Sequence, residues 1–231
     1  MSHRTAVIVP CYNAATTIPE LVQRVAPMVP RPDIYCVNDG SQDDTRQVIE
    51  SAGVRLLNHE QNRGKGEALQ TAFAAVLDAG YDGAVTIDAD LQHLPEHLPA
   101  FLDRAPDYDV IVGTRAYHLR NMPLDRWFVN HLTSLIVSAL GGTRVRDCQS
   151  GYRYLSARAM RDIPLATTRY DMEAEQLIRA GRMRMRITEV FVETVYTDSE
   201  SYIHPWRDTV RFIRMAFRNL FWRPPRVTTS R

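Results

Sequence analysis

The sequence predicts an α/β fold with a mostly parallel central sheet flanked by helices. Short apolar segments alternate with segments of helical periodicity through the first half of the chain. Strict alternation of strand and helix favours parallel strands joined by right-handed crossovers. The apolar segments end in polar residues, which is typical of sheets that bind a ligand at their carboxyl edge. With 231 residues, 45% of them hydrophobic, the chain can bury the core of one large domain.

The first two strands are each followed by a helix signal. Residues 5–10, TAVIVP, predict a buried strand, and residues 17–20, TIPE, resemble a capping box that opens a helix through residue 28. Residues 33–39, DIYCVND, predict the second strand, after which Ser41 and Asp44 can cap a helix. Both helices are therefore expected to begin just beyond the carboxyl end of a strand.

The third and fourth strands continue the alternation. Residues 54–58, VRLLN, predict a strand, and a helix from about 64 to 79 presents apolar side chains at helical spacing. The fourth strand runs into TIDADLQH, residues 86–93. It therefore delivers two carboxylates, Asp88 and Asp90, at its carboxyl end.

The spacing of Asp88 and Asp90 suits a divalent cation. In a strand, residues two apart point the same way, and a short turn lets two such acids share one hard cation. Magnesium usually takes one or two carboxylates and completes its shell with water and substrate phosphates, so the pair suits a metal that carries a diphosphate. Gln92 could add a neutral oxygen. An isolated Asp-x-Asp also fits a turn or a helix cap, and this alternative stays open here.

Composition and missing motifs exclude several classes of protein. The 28 Lys and Arg against 27 Asp and Glu give a net charge of +1, so no nucleic-acid partner is predicted. The three cysteines form no CxxC pair, which predicts reduced thiols in a cytosolic protein and no structural zinc. The absence of GxxxxGK[ST] and GxGxxG disfavours an ATPase and a dinucleotide-binding dehydrogenase. The amino terminus lacks a secretion signal, and the apolar run 127–140 is shorter than the ~20 residues of a membrane helix.

Polar clusters at the strand ends suit a nucleotide. Pro10, Tyr12 and Asn13 end the first strand, and a proline or tyrosine face can pack against a base. Asp39 ends the second strand and can accept a hydrogen bond from a base or ribose. Lys65 lies between glycines just before a helix, where free amides and the lysine favour an anion. Singly, these features also fit an ordinary Asp-Gly turn and a proline that ends strand pairing.

Six segments carry a resemblance to a known family: VIVPCYNAATTIPELV, CVNDGSQDDT, NRGKGEALQTAF, TIDADLQH, VGTR (112–115) and DCQSGYRYLSARAM (147–160). In this order and at these separations they resemble the successive motifs of family 2 glycosyltransferases of the GT-A fold, a Rossmann-like α/β fold. Within that family the sequence is most similar to the dolichyl-phosphate or polyprenyl-phosphate sugar synthases, which act with mannose or glucose. The resemblance covers about residues 5–195.

The resemblance implies roles for individual residues. The nucleotide pocket would be lined by Pro10, Tyr12, Asn13, Asp39, Lys65, Asp88 and Ala89. Magnesium or manganese would be held against the donor diphosphate by Asp88, Asp90 and Gln92. The phosphate of the acceptor would meet Arg115, Arg126, Ser150 and Arg207. The residues expected to act in the chemistry are Asp90, Arg115, Arg126 and Asp147.

Two positions depart from the family pattern. Ala14 stands where many relatives have a glutamate after the Tyr-Asn pair, so one family contact to the nucleotide is missing. Near the carboxyl terminus, Glu200 and Ser201 stand where the family has an arginine followed by a serine. A contact to the acceptor is lost there, and Arg207 is the candidate to replace it.

The acceptor decides whether a base is needed. A lipid phosphate, with a second pKa of about 6, is already an anionic nucleophile, and arginines would matter more than a base. A sugar hydroxyl needs a base, for which Asp147 is the best candidate, with Glu173 and Glu175 behind it. Asp147 also fits a turn or helix cap. The two glutamates, on a helix predicted over 170–180, also fit a solvated or inward-bonded face.

The carboxyl-terminal segment predicts an amphipathic helix from 205 to 222. Its apolar stripe consists of Trp206, Val210, Ile213, Phe217 and Leu220, and its basic stripe of Arg207, Arg211, Arg214 and Arg218. Such a helix can lie in a membrane interface with its arginines near lipid phosphates. Alternatively, the apolar stripe packs on the catalytic domain. We therefore divide the chain into a catalytic domain, 1–200, and a basic amphipathic helix and tail, 201–231.

Taken together, the sequence predicts an inverting, metal-dependent hexosyltransferase. It would move one sugar from GDP-mannose or a UDP-hexose to polyprenyl or dolichyl phosphate, as a cytoplasmic protein peripheral to the cytoplasmic membrane face. One alternative is a family 2 transferase that acts on a hydroxyl with Asp147 as base. Another is a nucleotide-sugar binding protein without transfer activity.

Overall fold

The computed structural model describes residues 3–115, 124–167, 171–195 and 205–225. Within these residues a seven-stranded sheet separates two apolar cores. The strands are β1 (Thr5–Cys11), β2 (Ile34–Asp39), β3 (Arg55–His59), β4 (Gly83–Thr86), β5 (Val110–Arg115), β6 (Arg153–Ser156) and β7 (Ile187–Val192). The α-helices are α1 (Ile18–Val25), α2 (Thr45–Ser51), α3 (Lys65–Asp78), α4 (Leu98–Leu102), α5 (Leu124–Gly141), α6 (Ala157–Asp162), α7 (Met172–Arg182) and α8 (Pro205–Phe221).

The sheet is mostly parallel, in the order β3-β2-β1-β4-β6-β5-β7. β1 pairs in parallel with β2 and β4, β2 with β3, and β5 with β7. Of the described strands, only β6 runs antiparallel, between β4 and β5. Its direction sets its first residue, Arg153, beside Thr86 at the carboxyl end of β4. The predicted α/β fold is confirmed, and the loop before β6 reaches the strand end where the paired aspartates begin.

The central strands are covered on both faces. Every residue of β2 and of β4 is buried, as expected for parallel strands between two helical layers. One apolar core packs the sheet against α3, α5, α6 and α7, and the other packs it against α1, α2 and α4. The three cysteines are buried free thiols.

The start of α1 differs from the sequence prediction. Thr17 occupies the N-cap position, but its side chain makes no cap; its hydroxyl donates to the carbonyl of Ala14 at 3.2 Å. The predicted capping box is therefore wrong, because the hydroxyl is used within the loop between β1 and α1. The helix also ends at Val25 rather than at residue 28.

The predicted carboxyl-terminal helix is present as α8, which packs against α5 and α7. The predicted domain boundary at residue 200 falls within residues 196–204, outside the described residues, and stays a prediction. Among the described helices, none combines the length and the apolar character needed to cross a membrane.

Candidate active site

The paired aspartates lie on a turn directly after β4. The amide of Ile87 donates to the carbonyl of Ile8, so the chain still runs beside β1 one residue before Asp88. The carboxylate of Asp90 accepts a hydrogen bond from the amide of Gln92 at 3.0 Å, and Leu91 between them has a φ of 59°. This left-handed residue turns the chain sharply, so all three predicted metal ligands lie within one turn.

The donor set of this turn fits a divalent cation. Desolvation and the nearby charge of Asp88 raise the pKa of Asp90, so the charge of one carboxylate opposes the ionisation of the other. A shared cation would remove that repulsion. The described residues contain no cluster of three or more His, Cys, Asp and Glu side chains that could hold a metal. The protein would thus supply two carboxylates and the Gln92 amide, and the diphosphate and water would supply the rest, as Mg²⁺ and Mn²⁺ sites allow.

Lys65 closes the inner side of the metal turn. It is the first residue of α3, after Gly64, whose φ of 96° favours glycine. Its Nζ lies 2.6 Å from Oδ1 of Asp88 and 2.9 Å from Oε1 of Glu173. Burial opposes the charge of Lys65, but the two carboxylates outweigh it and raise the pKa of Lys65 far above its usual value. Burial likewise opposes the charge of Asp88, but Lys65 outweighs it and lowers the pKa of Asp88. Lys65 was predicted to line the nucleotide pocket, and the structure brings it to the predicted metal ligand.

Asn13 joins the loops that follow β1 and β2. Its amide donates to Oγ of Ser41 at 3.0 Å, and its side-chain oxygen accepts the amide of Gln42 at 2.9 Å. Pro10 and Tyr12 lie on the same edge, and each is partly exposed. Ala14, where the resemblance implies a glutamate, is buried, and its amide donates to Oγ1 of Thr45 at 2.8 Å. The loops that follow β1 and β2 are therefore joined to each other, and their role in nucleotide binding stays a prediction.

Asp39 points into the protein, where it holds the loop before α3. Its Oδ1 accepts hydrogen bonds from Nδ1 of His59 at 2.7 Å and from the amide of Arg63 at 3.0 Å. Its Oδ2 accepts the amide of Gly64 at 2.8 Å. Asp39 is only 4% exposed. These contacts favour a role in placing Lys65, and the predicted contact to a base or ribose stays a prediction.

Gly40 allows the two loops to approach each other. A Cβ at this position would lie 2.3 Å from the carbonyl carbon of Gln61, and the φ of Gly40 is 65°. Both the space and the backbone conformation therefore require glycine. An ordinary Asp-Gly turn was one interpretation of the sequence VNDGS. In the structure its glycine also allows the close contact with Gln61.

Arg115 and Asp147 form a bidentate ion pair at the end of β5. Nε of Arg115 donates to Oδ2 at 2.7 Å, and Nη2 donates to Oδ1 at 3.0 Å. Asp147 is fully buried, and its Oδ1 also accepts the amide of Gln149 at 3.2 Å. The pairing fixes the plane of the guanidinium. It favours Asp147 as the residue that orients Arg115 over its predicted role as a base.

His93 connects the two charged clusters. Burial lowers its pKa to about 4, and the charges of Asp88, Arg115 and Asp147 all act on it. Its ring packs 5.6 Å from that of Tyr152, and its Nδ1 has no hydrogen-bond partner among the described residues. The sequence reasoning missed His93 as a site residue. Its place next to Gln92 in the aspartate motif was the available signal.

Arg153 was also missed, and it supports the loop before β6. Its guanidinium is buried and donates to the carbonyls of Ser150, Cys148 and Glu173 at 2.6–2.7 Å. The sequence does not indicate this role, because the partners of Arg153 are backbone carbonyls that only the folded chain brings near it.

Of the remaining residues predicted to belong to the site, two are buried, and the side chains of two others are not among those that the structure describes. Ser150 is 1% exposed and its Oγ accepts the amide of Tyr152, so its surroundings do not support the predicted contact with an acceptor phosphate. Ala89 is buried beside the aspartates. Arg126 and Arg207 fall in α5 and α8, and their side chains lie outside the described residues.

The two glutamates of α7 are bonded inward. Glu173 pairs with Lys65, as described above. Glu175 is fully buried and accepts hydrogen bonds from Thr167 and from Arg218. Of the two readings of this helix face, the inward-bonded one is confirmed.

Parallel α/β sheets bind ligands at the carboxyl ends of their strands, and the charged residues described here meet at the ends of β4 and β5. A seven-stranded sheet of this kind, with one antiparallel strand beside the strand that precedes Asp-x-Asp, has the architecture of the GT-A glycosyltransferases. The sequence profile of glycosyl transferase family 2 matches residues 6–166. The chain belongs to this family and is a glycosyltransferase.

Relatives and solved structures agree with this assignment. An undecaprenyl-phosphate mannosyltransferase of Micrococcus luteus is 30% identical over 211 residues, which cover 85% of this chain and 87% of the relative. A UDP-N-acetylglucosamine–dolichyl-phosphate N-acetylglucosaminyltransferase of Methanococcus voltae is 31% identical, with 83% and 85% covered.

Among crystal structures, glucosyl-3-phosphoglycerate synthase of Mycobacterium tuberculosis has the same fold. In complex with Mn²⁺, UDP-glucose and phosphoglyceric acid it superposes with a TM-score of 0.78 at 21% identity, covering 94% of this chain and 80% of that one. At this identity the likeness concerns the fold.

Proposed function

We propose that the protein transfers one sugar, with inversion, from a nucleotide sugar to a polyprenyl or dolichyl phosphate, with Mg²⁺ or Mn²⁺ at Asp88 and Asp90. The observation that carries the proposal is the bidentate ion pair between Arg115 and the fully buried Asp147, whose charges act on His93 together with that of Asp88. Such a pair would present a guanidinium of fixed orientation to an acceptor phosphate. The two relatives named for undecaprenyl and dolichyl phosphate support the same acceptor class.

The donor side requires a place for a leaving diphosphate. A Mg²⁺ or Mn²⁺ ion held by Asp88, Asp90 and Gln92 would stabilise the negative charge that develops on it. Lys65, held by Asp39 through the loop before α3, adds a permanent positive charge on the inner side. The connected loops after β1 and β2 are the proposed surface for the base and ribose.

The acceptor side requires attraction more than proton transfer. A phosphomonoester with a second pKa of about 6 is anionic at neutral pH, so it can attack the sugar without a strong base. Arg115 would offset the repulsion between this anion and the donor, because a planar guanidinium binds phosphate in a fixed geometry. Asp147 would keep the guanidinium in place. The burial and pairing of Asp147 favour this reaction over transfer to a hydroxyl.

A lipid acceptor requires contact with a membrane surface, and α8 offers one. Its outer face exposes large apolar residues, and the arginines of the same helix border them; the apolar residues are Val210, Ile213, Phe217, Leu220 and Phe221. A helix with this pattern can lie in the interface of a bilayer. We therefore place the protein at the periphery of a membrane, with α8 toward the lipid.

A product assay tests the proposal. Purified protein is given radiolabelled GDP-mannose, UDP-glucose or UDP-N-acetylglucosamine with undecaprenyl or dolichyl phosphate in detergent and Mn²⁺. We expect one donor to yield label that is extracted into organic solvent, and EDTA or Asp90→Ala to abolish it. Arg115→Lys keeps the charge but loses the bidentate pair, and it should lower kcat/KM at least about tenfold.

The same assay separates the alternative acceptor. Parallel reactions contain phosphoglycerate or simple sugars in place of the lipid. Label on these hydroxyl compounds, with none in the lipid fraction and with loss of turnover in Asp147→Asn, would show that the acceptor proposal is wrong.

A further inference from the structure

Lys65 lies between two carboxylates that belong to different parts of the fold. Asp88 follows β4, whereas Glu173 lies in the first turn of α7. The side chains of Lys65 and Glu173 are 18% and 6% exposed, so their interaction is largely shielded from water. A Cβ at Gly151 would lie 2.6 Å from Nζ of Lys65 and 2.4 Å from Oδ2 of Asp88. The loop backbone therefore fits tightly against the pair and restricts where the ammonium can move.

A divalent cation at Asp88 would compete with this ammonium. Both bind the same carboxylate, since Oδ1 of Asp88 lies 2.6 Å from Nζ of Lys65. They also repel each other, and a buried ammonium that loses its only partner is strongly destabilised. Glu173 offers Lys65 a second carboxylate at 2.9 Å. The fold thus contains a place where the ammonium stays paired while Asp88 takes another cation.

We propose that Glu173 is a positioning residue of the metal site, which retains Lys65 when Asp88 exchanges the ammonium for a divalent cation. The inference rests on the proposed function for the identity of the metal ligands. Without metal, Nζ of Lys65 contacts Oδ1 of Asp88 and holds that carboxylate in place. With metal, Lys65 stays paired with Glu173 on the inner side of the site.

Mn²⁺ binding to the protein without donor or acceptor tests this role. Electron paramagnetic resonance of free Mn²⁺ gives the dissociation constant of wild type and variants. We expect Glu173→Gln to weaken Mn²⁺ binding by at least about tenfold, because Lys65 then has no second carboxylate to pair with when Asp88 takes the metal. Glu173→Asp keeps the negative charge but is one methylene shorter, and it should weaken binding nearly as much. If Glu173 acted only through its charge, Glu173→Asp would bind like wild type, and the proposal would be overturned.

The double variant Lys65→Met with Glu173→Gln tests whether Lys65 mediates the effect. It removes both the competing ammonium and its holder, so Mn²⁺ should bind at least as tightly as in wild type. Binding as weak as in Glu173→Gln alone would overturn the proposal. Glu96→Gln, which removes an exposed partner of Arg24 outside the site, is the matched control and should match wild type.

The outcomes also separate this inference from the proposed function. Mn²⁺ binding that is absent in wild type, or unchanged in Asp90→Asn, overturns the metal assignment and the inference together. Binding that is lost in Asp90→Asn but unchanged in Glu173→Gln and Glu173→Asp overturns the inference alone. Melting curves in EDTA check that each variant folds, and Glu173→Asp carries the test if Glu173→Gln does not fold.

Discussion

His93 lies among the charged groups of the site without carrying a charge of its own. It is 6% exposed, and burial lowers its pKa to about 4. Asp88 and Asp147 favour its protonation, but the desolvation of the imidazolium outweighs them. The folded protein therefore keeps a neutral imidazole between the metal turn and the Arg115–Asp147 pair.

Because His93 is neutral in the folded protein, we expect the free energy of unfolding of the metal-free protein to decrease as the pH falls. In the unfolded chain His93 takes up a proton at the ordinary histidine pKa of about 6.5, whereas in the folded protein it does so only at a pKa of about 4. The contribution is fully present above pH ~6.5 and is lost as the pH falls toward ~4, on the order of 3 kcal/mol in all. Urea unfolding in EDTA at several pH values measures it, and His93→Gln should remove this part of the decline.

A second histidine provides the control. His97 lies four residues further along, where its Nε2 accepts the amide of Glu193. His97→Gln should retain the full decline between pH 6.5 and 4. An unchanged decline in His93→Gln would show that the imidazole is protonated in the folded protein or that its burial is not costly.

The sequence indicated which carboxylates lie near the candidate site more reliably than it indicated where their side chains point. Asp88 and Asp90 could be proposed from the sequence because two carboxylates one residue apart, directly after an apolar strand, are a local geometric signal. Asp39 and Asp147 were also found, yet both face inward, toward His59 and Arg115. Their partners come from other strands, and no local pattern encodes which way a carboxylate turns. The same reason explains why Glu173 ranked low among the candidates.

At the scale of elements, α8 is held to α7 by charged residues as well as by apolar ones. Glu175 on α7 accepts a hydrogen bond from Arg218 at 2.7 Å and pairs with Arg179 at 2.7 Å. Nε of Arg179 donates to Oδ1 of Asn219 at 3.0 Å. Part of the predicted basic stripe of α8 thus turns inward. Burial opposes the ionisation of Glu175, but the amide of Ala166, the hydroxyl and amide of Thr167 and the charge of Arg179 lower its pKa.

Glu175→Gln should therefore destabilise the protein, mainly at α8. The substitution leaves the buried Arg179 without its carboxylate, and removing one partner of a buried ion pair costs about 3–5 kcal/mol. Urea unfolding measures the loss, and hydrogen exchange should show the amides of 210–221 exchanging faster than those of the central strands.

The control for this substitution is an exposed ion pair of the same kind. Glu50 pairs with Arg46 on α2, and both side chains are about half exposed. Glu50→Gln should cost less than about 1 kcal/mol. A similar small loss in Glu175→Gln would mean that the buried pair does not hold α8 in place.

The order of strands and helices followed from the sequence, but strand pairing did not. The observed bounds of β1 to β3 and α3 lie within about one residue of the predicted ones, because periodicity and apolar runs are local signals. The antiparallel entry of β6 between β4 and β5 depends on contacts between distant segments. That pairing carries the loop of Asp147 to the metal turn. The proposed acceptor side of the site was therefore harder to predict than the proposed metal side.

At the scale of the whole molecule, exposed apolar side chains concentrate on two neighbouring helices. α5 and α8 pack against each other, and both present large apolar residues to solvent. Leu135 on α5 is 66% exposed, and Phe217 and Phe221 on α8 are 65% and 70% exposed. An apolar surface of this kind on a folded chain indicates an interaction site. Only the α8 part of this surface was predicted from the sequence.

This surface should bind vesicles, and two phenylalanines should account for much of the affinity. Burying one phenylalanine side chain contributes about 1.5–3 kcal/mol, so Phe217→Ser with Phe221→Ser should weaken binding by at least about tenfold. Sedimentation with phosphatidylcholine vesicles, with and without phosphatidylglycerol, measures the partitioning. Wild type should prefer the anionic vesicles, and added salt should reduce that preference, because arginines border the apolar face.

Phe191 supplies the matched control, because it is equally exposed at 66% but lies on β7. Phe191→Ser should bind vesicles like wild type, and the melting temperatures of all variants should stay close, since exposed side chains are changed. If Phe191→Ser lost as much binding as the α8 variant, general surface hydrophobicity would explain the result. If the α8 variant kept full binding, α8 would not face the lipid, and the acceptor would have to reach Arg115 from another side.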